Sequence, residues 1–383
     1  MKKHGLLNWI ELSEAAFRNN VASLVKIAGE REVAVSVKAN AYGHGLPETV
    51  TMLSKCDGVG YITLHTVGEA AIARQAGWNR KIMLLGPASL DDMEPIVELD
   101  IEPVIFERRQ LEKLGRLSRQ RKRRIFTHLK LETGTNRQGI TEKELPAFAD
   151  IYHKYEFLKR PLGASTHFAN IEDTTSHEYA QYQLDNFNRM VKTMRRLKIG
   201  PKIRHTASSA ALILFEKTRF ELVRPGISAY GYWSSKETYL SYLQSGGHNN
   251  LFEPVLQWKA RVSQTKQLAA DSFVGYGCTY RTTSAARLVA IPIGYCDGYD
   301  RRLSNHAYVL IKGRRAPIRG RVCMNIVMAD VTDIKSVRLD QEVTIIGTDG
   351  SETITANDVA SWAGTINYEI LARISPTIRR IIV

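Results

Sequence analysis

Lys38 stands at the downstream end of a short apolar, β-branched run, Val33 to Val37, and the chain continues Ala39-Asn40-Ala41-Tyr42-Gly43-His44-Gly45. Such a run, charged on its N-terminal flank, reads as a strand buried on both faces of a parallel sheet. An amine placed where that strand gives way to a loop occupies the position at which α/β barrels carry their chemistry, and a lysine there can bond covalently to a carbonyl carbon. A lone strand-end lysine is more often an ordinary surface charge, so the reading turns on what else the chain supplies. Lys130 and Arg137 share the stretch HLKLETGTNRQG, 128–139, and His167 ends a strand-like run at THFAN, 166–170. RHTASSAA, 204–211, leads a strand into a small-residue helix start, where backbone N–H groups and the Ser209 hydroxyl make a ready phosphate site. VRPGISAYG, 223–231, puts Arg224 after the last strand of this half, where barrel phosphate sites commonly lie, and VGYGCTY, 274–280, sets Tyr276 between glycines. Read singly, these are a loop charge, a structural histidine and a core tyrosine.

The elements that must position these residues fall into two patterns. After an opening helix pattern from Leu12 to about Ile27 come eight strand-like runs: Val33–Val37, Gly60–Leu64, Lys81–Leu85, Ile101–Phe106, Ile125–Lys130, Leu162–Phe168, Ile203–Ala207 and Phe220–Val223. Helix-period segments such as Val67–Ala76, Asp91–Leu99, Glu142–Tyr155 and His177–Leu197 separate them by enough residues for right-handed crossovers. Eight β/α units are the rhythm of a TIM (β/α)8 barrel; a doubly wound open sheet has a similar rhythm, and periodicity does not separate the two. Near residue 250 the pattern changes. HNNLFEPV reads as a linker, and Leu256, Trp258, Ala260 and Val262 then alternate with Gln257, Lys259, Arg261 and Ser263, the period of a half-buried antiparallel strand. Further short runs follow, with Gly347-Thr348-Asp349-Gly350 read as a hairpin turn and Thr355-Ala356-Asn357-Asp358 as a capping box that opens one helix. The fold class expected is α/β, an N-terminal TIM barrel over 12–245 followed by a C-terminal mostly-β domain over 246–383, with residues 1–11 packing on the β domain.

Composition excludes several classes. The 383 residues exceed what one core usually organises, and 44% hydrophobic with 24% charged residues is ordinary for a globular protein. No apolar run is long enough to span a membrane and the N-terminus lacks the apolar core of a signal peptide, so no membrane partner and a cytoplasmic location are expected. Cys56, Cys278, Cys296 and Cys323 are scattered without C-x-x-C pairs, which fits free thiols and no metal site. The net charge of +14 is densest in RLSRQRKRR, 116–124; without an accompanying RNA motif this reads as a solvated helix end, and no nucleic-acid partner is expected.

VKANAYGHG, 37–45, closely resembles the motif that carries the cofactor lysine in the bacterial alanine racemase family, and matches to that family run from about Trp9 to Arg380. The resemblance implies pyridoxal 5′-phosphate as cofactor, held covalently by Lys38. It implies a phosphate cradle from Tyr42, Ser209, Gly226, Ile227 and Tyr368, the last in INYEILARIS, 366–375; the position before Ser209 is usually asparagine in the family and is Ser208 here. Arg224 would face the pyridine nitrogen, where a permanent cation disfavours a second positive charge. A less electron-withdrawing ring favours return of the proton to Cα, which ties this residue to racemisation. His167 would pack beside the cofactor and bond to that arginine. Arg137 would donate to the ring phenolate and bind substrate, oriented by Lys130, which the family often carries as a carbamate. Tyr276 would be the second catalytic base, opposite Lys38 and reaching into the other subunit's site, which implies a homodimer with shared active sites.

Tyr295, in IGYCDGYDRR, 293–302, would line the substrate entrance, and Met324 and Asn325 of CMN, 323–325, would border the substrate. Most family members have Cys-Met-Asp at the last site; those acting on serine carry asparagine. The activity implied is interconversion of L- and D-alanine, an amino-acid substrate supplying D-alanine to peptidoglycan. A serine or broad-specificity racemase and a non-catalytic pyridoxal-phosphate protein are the alternatives. A barrel-only carrier would lack the β domain and the GYG motif.

Overall fold

The computed structural model describes residues 5–158 and 160–383, so the first four residues of the expected 1–11 segment lie outside it. The chain forms two compact units. One comprises Ala16–Ala39 and Thr49–Glu253; the other comprises the described residues up to Ala15, Asn40–Glu48 and Pro254–Val383.

After strand β1 (Asn8–Leu12) and helix α1 (Glu14–Ala28), the first unit is a (β/α)8 barrel. Its strands are β2 (Glu32–Ser36), β3 (Val59–Leu64), β4 (Lys81–Leu84), β5 (Ile101–Ile105), β6 (His128–Lys130), β7 (Gly163–Ser165), β8 (Ile203–His205) and β9 (Leu222–Val223). They pair in parallel in the order β8-β7-β6-β5-β4-β3-β2-β9. β9 thus returns to the first barrel strand, and Arg224 N–H to Ala207 C=O at 2.9 Å joins the chain just beyond β9 to that beyond β8. This cyclic order is what an open doubly wound sheet lacks. Ala34, Tyr61, Met83, Val104 and Leu222, one from each of five strands, form a fully buried apolar cluster. Most helix-period segments are helices, Glu178–Arg196 being the longest.

In the second unit β1 lies between β10 (Leu256–Arg261), antiparallel, and Arg380–Ile382, parallel. Glu342–Asp349 and the hairpin Tyr308–Ile311 with Arg314–Pro317 extend that sheet beyond β10. A second sheet holds Gln264–Leu268, Ala286–Ile291 and Val327–Asp330. Thr355 opens its helix as read: its hydroxyl accepts from Asp358 N–H at 3.1 Å and Asp358 accepts from Thr355 N–H at 2.8 Å.

Three local expectations are corrected. The opening helix starts at Glu14, because Leu12 is spent in β1, where Asn8–Leu12 pairs with Leu256–Ala260. Gly347–Asp349 is strand rather than turn; the reversal comes at Gly350-Ser351, between the paired Asp349 and Glu352, with Gly350 at φ +62°. Lys259 is buried rather than outward, since an irregularity between Trp258 and Lys259 breaks the alternation; its amine meets Thr344 Oγ1 at 2.8 Å and Glu342 at 3.5 Å.

Candidate active site

Lys38 follows β2 at the C-terminal end of the barrel strands, where the sequence pattern puts it. The backbone then does something no periodicity announces: Ala39, Asn40, Ala41 and Tyr42 all have φ between 51° and 54°, one left-handed turn of non-glycine residues. L-residues resist this conformation by roughly 1–2 kcal/mol each, so the turn must be held. Asn40 C=O accepts from Gly45 N–H at 2.9 Å and Asn40 Oδ1 from Leu46 N–H at 2.8 Å. The other clamp is Glu69, absent from the sequence reading. It completes a capping box with Thr66 at the start of helix Val67–Gln75, and its second oxygen takes Ala39 N–H at 2.6 Å. One carboxylate therefore fixes both a helix start and the residue next to Lys38.

Around Lys38 the barrel unit gathers cations. Burial lowers the pKa of its amine, Arg137 and then Arg224 lower it further, and Glu69 opposes them. Lys130, at the end of β6, is brought down to about 8, by burial first and then by Arg224 and Arg137. His167 is held neutral, its value near 3, by burial and by the same cations. Arg224 is buried; it donates to His205 Nδ1 at 2.7 Å, to His205 C=O and to Thr166 C=O at 3.0 Å. Among the described residues its hydrogen bonds therefore run to His205 and to the Thr166 backbone, not to the His167 ring. Arg137 is exposed, and with His167 it borders a cavity of about 220 Å³.

Ser209 starts a six-residue helix, and its hydroxyl accepts from Gly226 N–H at 2.9 Å and Ser228 N–H at 3.4 Å, tying the loop after β9 to that after β8. The hydroxyls of Ser208 and Ser228 are buried with no hydrogen-bond partner among the described residues. Buried polar groups are normally satisfied, so two idle hydroxyls beside Ser209, Gly226 and Ile227 fit a phosphate-bearing ligand. Ser228 was not singled out from sequence, since a serine in a glycine-bearing loop carries no signal of its own.

The other predicted residues lie in the second unit. Tyr42 and Tyr368 face one another, ring centroids 6.0 Å apart. Tyr276, Tyr295, Met324 and Asn325 line one cavity of about 940 Å³. Tyr276 is 74% exposed in a turn where Gly275 and Gly277 both have positive φ, and Asn325 Nδ2 donates to Cys296 Sγ at 2.8 Å. Among the described residues no cluster of His, Cys, Asp or Glu could hold a metal ion, and no helix is long and apolar enough to cross a membrane.

A (β/α)8 barrel with a crowded lysine at its strand ends, followed by a β domain, places the chain among the barrel enzymes. Comparison with known proteins gives the family. Residues 12–234 match the alanine racemase N-terminal domain and residues 255–382 the alanine racemase C-terminal domain. A protein of Carboxydothermus hydrogenoformans named alanine racemase is 36% identical over 381 residues, covering 98% of this chain and 99% of that one. One of Leptospira interrogans with the same name is 34% identical over 381 residues, 98% of this chain and 96% of the relative. Among solved structures, alanine racemase from Bacillus anthracis with bound L-Ala-P superposes with a TM-score of 0.91 at 31% identity, over 100% of this chain and 96% of that chain. The Bartonella henselae alanine racemase with covalently bound pyridoxal phosphate gives 0.84 at 26% identity, over 98% and 99%. The chain belongs to the alanine racemase family.

Proposed function

We propose that this protein interconverts L- and D-alanine using pyridoxal 5′-phosphate and supplies D-alanine for peptidoglycan. The observation that carries the reading is the Lys38 amine, kept short of its ordinary basicity by burial and two arginines, in the same unit as two idle buried hydroxyls suited to a phosphate. Lys38 would hold the cofactor covalently, with Ser208, Ser209, Ser228, Gly226 and Ile227 about its phosphate; Tyr42 and Tyr368 join that cradle only by the family resemblance. When bound, pyridoxal phosphate supplies an aldehyde carbon for amines and a ring that withdraws electrons from Cα. The chain's own residues do the rest. A lysine of lowered pKa is more readily the neutral amine that can take a proton from Cα on one face. Tyr276 gives or takes the proton on the other, so that each turnover returns one proton to Cα. Arg224 is a cation at neutral pH, its value brought only to about 10 by burial, and it opposes protonation of a pyridine nitrogen lying against it. Arg137, with Lys130 behind it, binds substrate, and Tyr295, Met324 and Asn325 bound the space for its side chain.

The reading includes a homodimer in which Tyr276 serves the partner's site. A tyrosine 74% exposed among Phe273, Met324 and Ile326, all more than 40% exposed, supports that face as one covered by another copy. A cytoplasmic location is in keeping with four cysteines scattered along the chain without C-x-x-C pairs.

A second reading, serine as substrate, is favoured by one feature. Asn325 commits an amide hydrogen to Cys296 and keeps its carbonyl as an acceptor for a substrate hydroxyl. Racemisation by the cofactor-loaded protein of L-alanine, L-serine and, as a bulky control, L-lysine tests both. Faster turnover of alanine is expected; preference for serine makes Asn325 the specificity residue, and no turnover of any overturns the proposal. Lys38→Ala should abolish the visible absorbance of lysine-bound cofactor after gel filtration, and retention of that band would remove Lys38 from its role.

A further inference from the structure

Behind Arg224 runs a chain of buried polar side chains to which the proposed mechanism gives no role. Arg224 Nη1 lies 2.7 Å from His205 Nδ1, His205 Nε2 lies 2.9 Å from His128 Nδ1, and His128 Nε2 lies 3.0 Å from Glu102 Oε2. The two histidines are fully buried and Glu102 is 8% exposed. His128 is on β6 and His205 on β8, with β7 between them, and they meet only because β7 has a glycine at the crossing: a Cβ on Gly163 would stand 2.0 Å from His128 Nδ1. The packing is cut to fit the contact.

The direction of every hydrogen in this chain follows from its ends. A guanidinium has donors only, so His205 Nδ1 must be the lone-pair nitrogen and the ring proton sits on Nε2. That proton points at His128 Nδ1, which must in turn be a lone pair, leaving His128 Nε2–H to donate to Glu102. Both imidazoles are neutral and identically oriented, and Glu102 Oε2 ends the chain as the acceptor. A protonated histidine at either place would set two N–H groups against each other. Burial, Arg224 and His128 hold His205 neutral, in agreement.

We propose that Glu102 and His128 are positioning residues for Arg224, holding its guanidinium in register through His205 and supplying, at the far end of the relay, the buried counter-charge that keeps it a cation. The inference rests on the reading of Arg224 and Lys38 given above. The groups around the relay are few. Tyr61 on β3 lies against Glu102, its phenol kept protonated by burial and by that carboxylate. Lys130 lies near His205, and Lys38 is faced by Arg137, Glu69, Arg224 and Glu172.

The test has two arms. In the cofactor-free protein, ¹⁵N spectra of His128 and His205 should show the neutral Nε2–H tautomer for both at neutral pH; an Nδ1–H form or an imidazolium at either residue overturns the relay. In the loaded enzyme, Glu102→Gln keeps an acceptor for His128 but removes the charge. The alkaline limb of its kcat/KM profile, where the Arg224 cation is lost, should move to lower pH by about half a unit or more, with kcat down about tenfold, and Glu102→Asp should restore the profile. A Glu102→Gln profile that superposes on the parent's, or a Glu102→Asp shift equal to that of Glu102→Gln, overturns the role. Should Glu102→Gln not fold, the tautomers of the unsubstituted chain still decide. Failure of the parent protein to racemise any amino acid would count against the proposed function, whereas the histidine spectra would still report on the relay.

Discussion

At Lys130 the barrel holds an amine that is half neutral near pH 8, and a neutral amine is the form that attacks carbon dioxide. Its lone pair would bond to the carbon, one C=O pair would move to oxygen, and an N–H proton would leave, giving a carbamate anion. Arg224, Arg137 and Lys38 are all close enough to disfavour a cation there, and the same field favours an anion. We expect a protein-borne carbamate resonance in ¹³C spectra recorded in labelled bicarbonate, lost in Lys130→Met. The uncarbamylated amine also leaves a signature in stability. Its folded value, about 8, lies below the ordinary 10.5, so between these pH values the unfolded chain binds the extra proton and unfolding becomes harder as pH rises. In bicarbonate-free buffer the melting temperature of the parent should therefore gain on that of Lys130→Met over this window; a constant difference would show that the amine is not depressed. Sequence could locate Lys130 and Arg137, because a motif names residue types. It could not locate Glu69, Glu102, His128 or Ser228 as participants, because each is an ordinary polar residue until folding supplies its partner.

At the scale of elements, strands were legible wherever a β-branched apolar run met a loop, since a barrel strand buried on both faces must be apolar throughout. The runs failed to show where polar residues are built into the interior. Glu102, His128 and His205 put polar side chains into β5, β6 and β8, and only the closed barrel makes them neighbours. The left-handed turn after Lys38 was hidden for a different reason: alanine and tyrosine are poor candidates for positive φ, so in Ala39–Tyr42 only Asn40 hints at it. That mismatch is measurable. Ala39→Gly relieves about 1–2 kcal/mol of left-handed cost and gives back about 0.5–1 kcal/mol of chain entropy, so the variant should be as stable as the parent or slightly more so by urea denaturation. A loss of about 1 kcal/mol, as for glycine in an ordinary helix, would show that the turn carries no strain. Glu69→Ala should cost about 1–2 kcal/mol, as loss of a cap does, and should also lower turnover by freeing the residue beside Lys38. Unchanged turnover with the same stability loss would confine Glu69 to capping.

For the whole molecule, the question is which chain provides each base. Lys38 lies in the barrel unit and Tyr276 in the other, on an exposed face lined by Tyr295, Met324 and Asn325. If the working site pairs Lys38 of one copy with Tyr276 of another, each dimer has two such pairs related by symmetry. Lys38→Ala and Tyr276→Phe should each be inactive as homodimers, every site lacking one base. Mixed and allowed to exchange, the two chains form heterodimers with one site defective in both residues and the other intact, its lysine from the Tyr276→Phe chain and its tyrosine from the Lys38→Ala chain. With random exchange half the dimers are mixed and half of their sites are whole, so roughly a quarter of parental activity should return. A site drawn from a single chain cannot be repaired in this way, because every copy then carries its own defect whatever its partner. Recovery that rises as subunits exchange, and is absent when cross-linked homodimers are mixed, would place the two bases on different chains; no recovery despite demonstrated exchange would put both in one chain and remove the shared-site dimer from the mechanism.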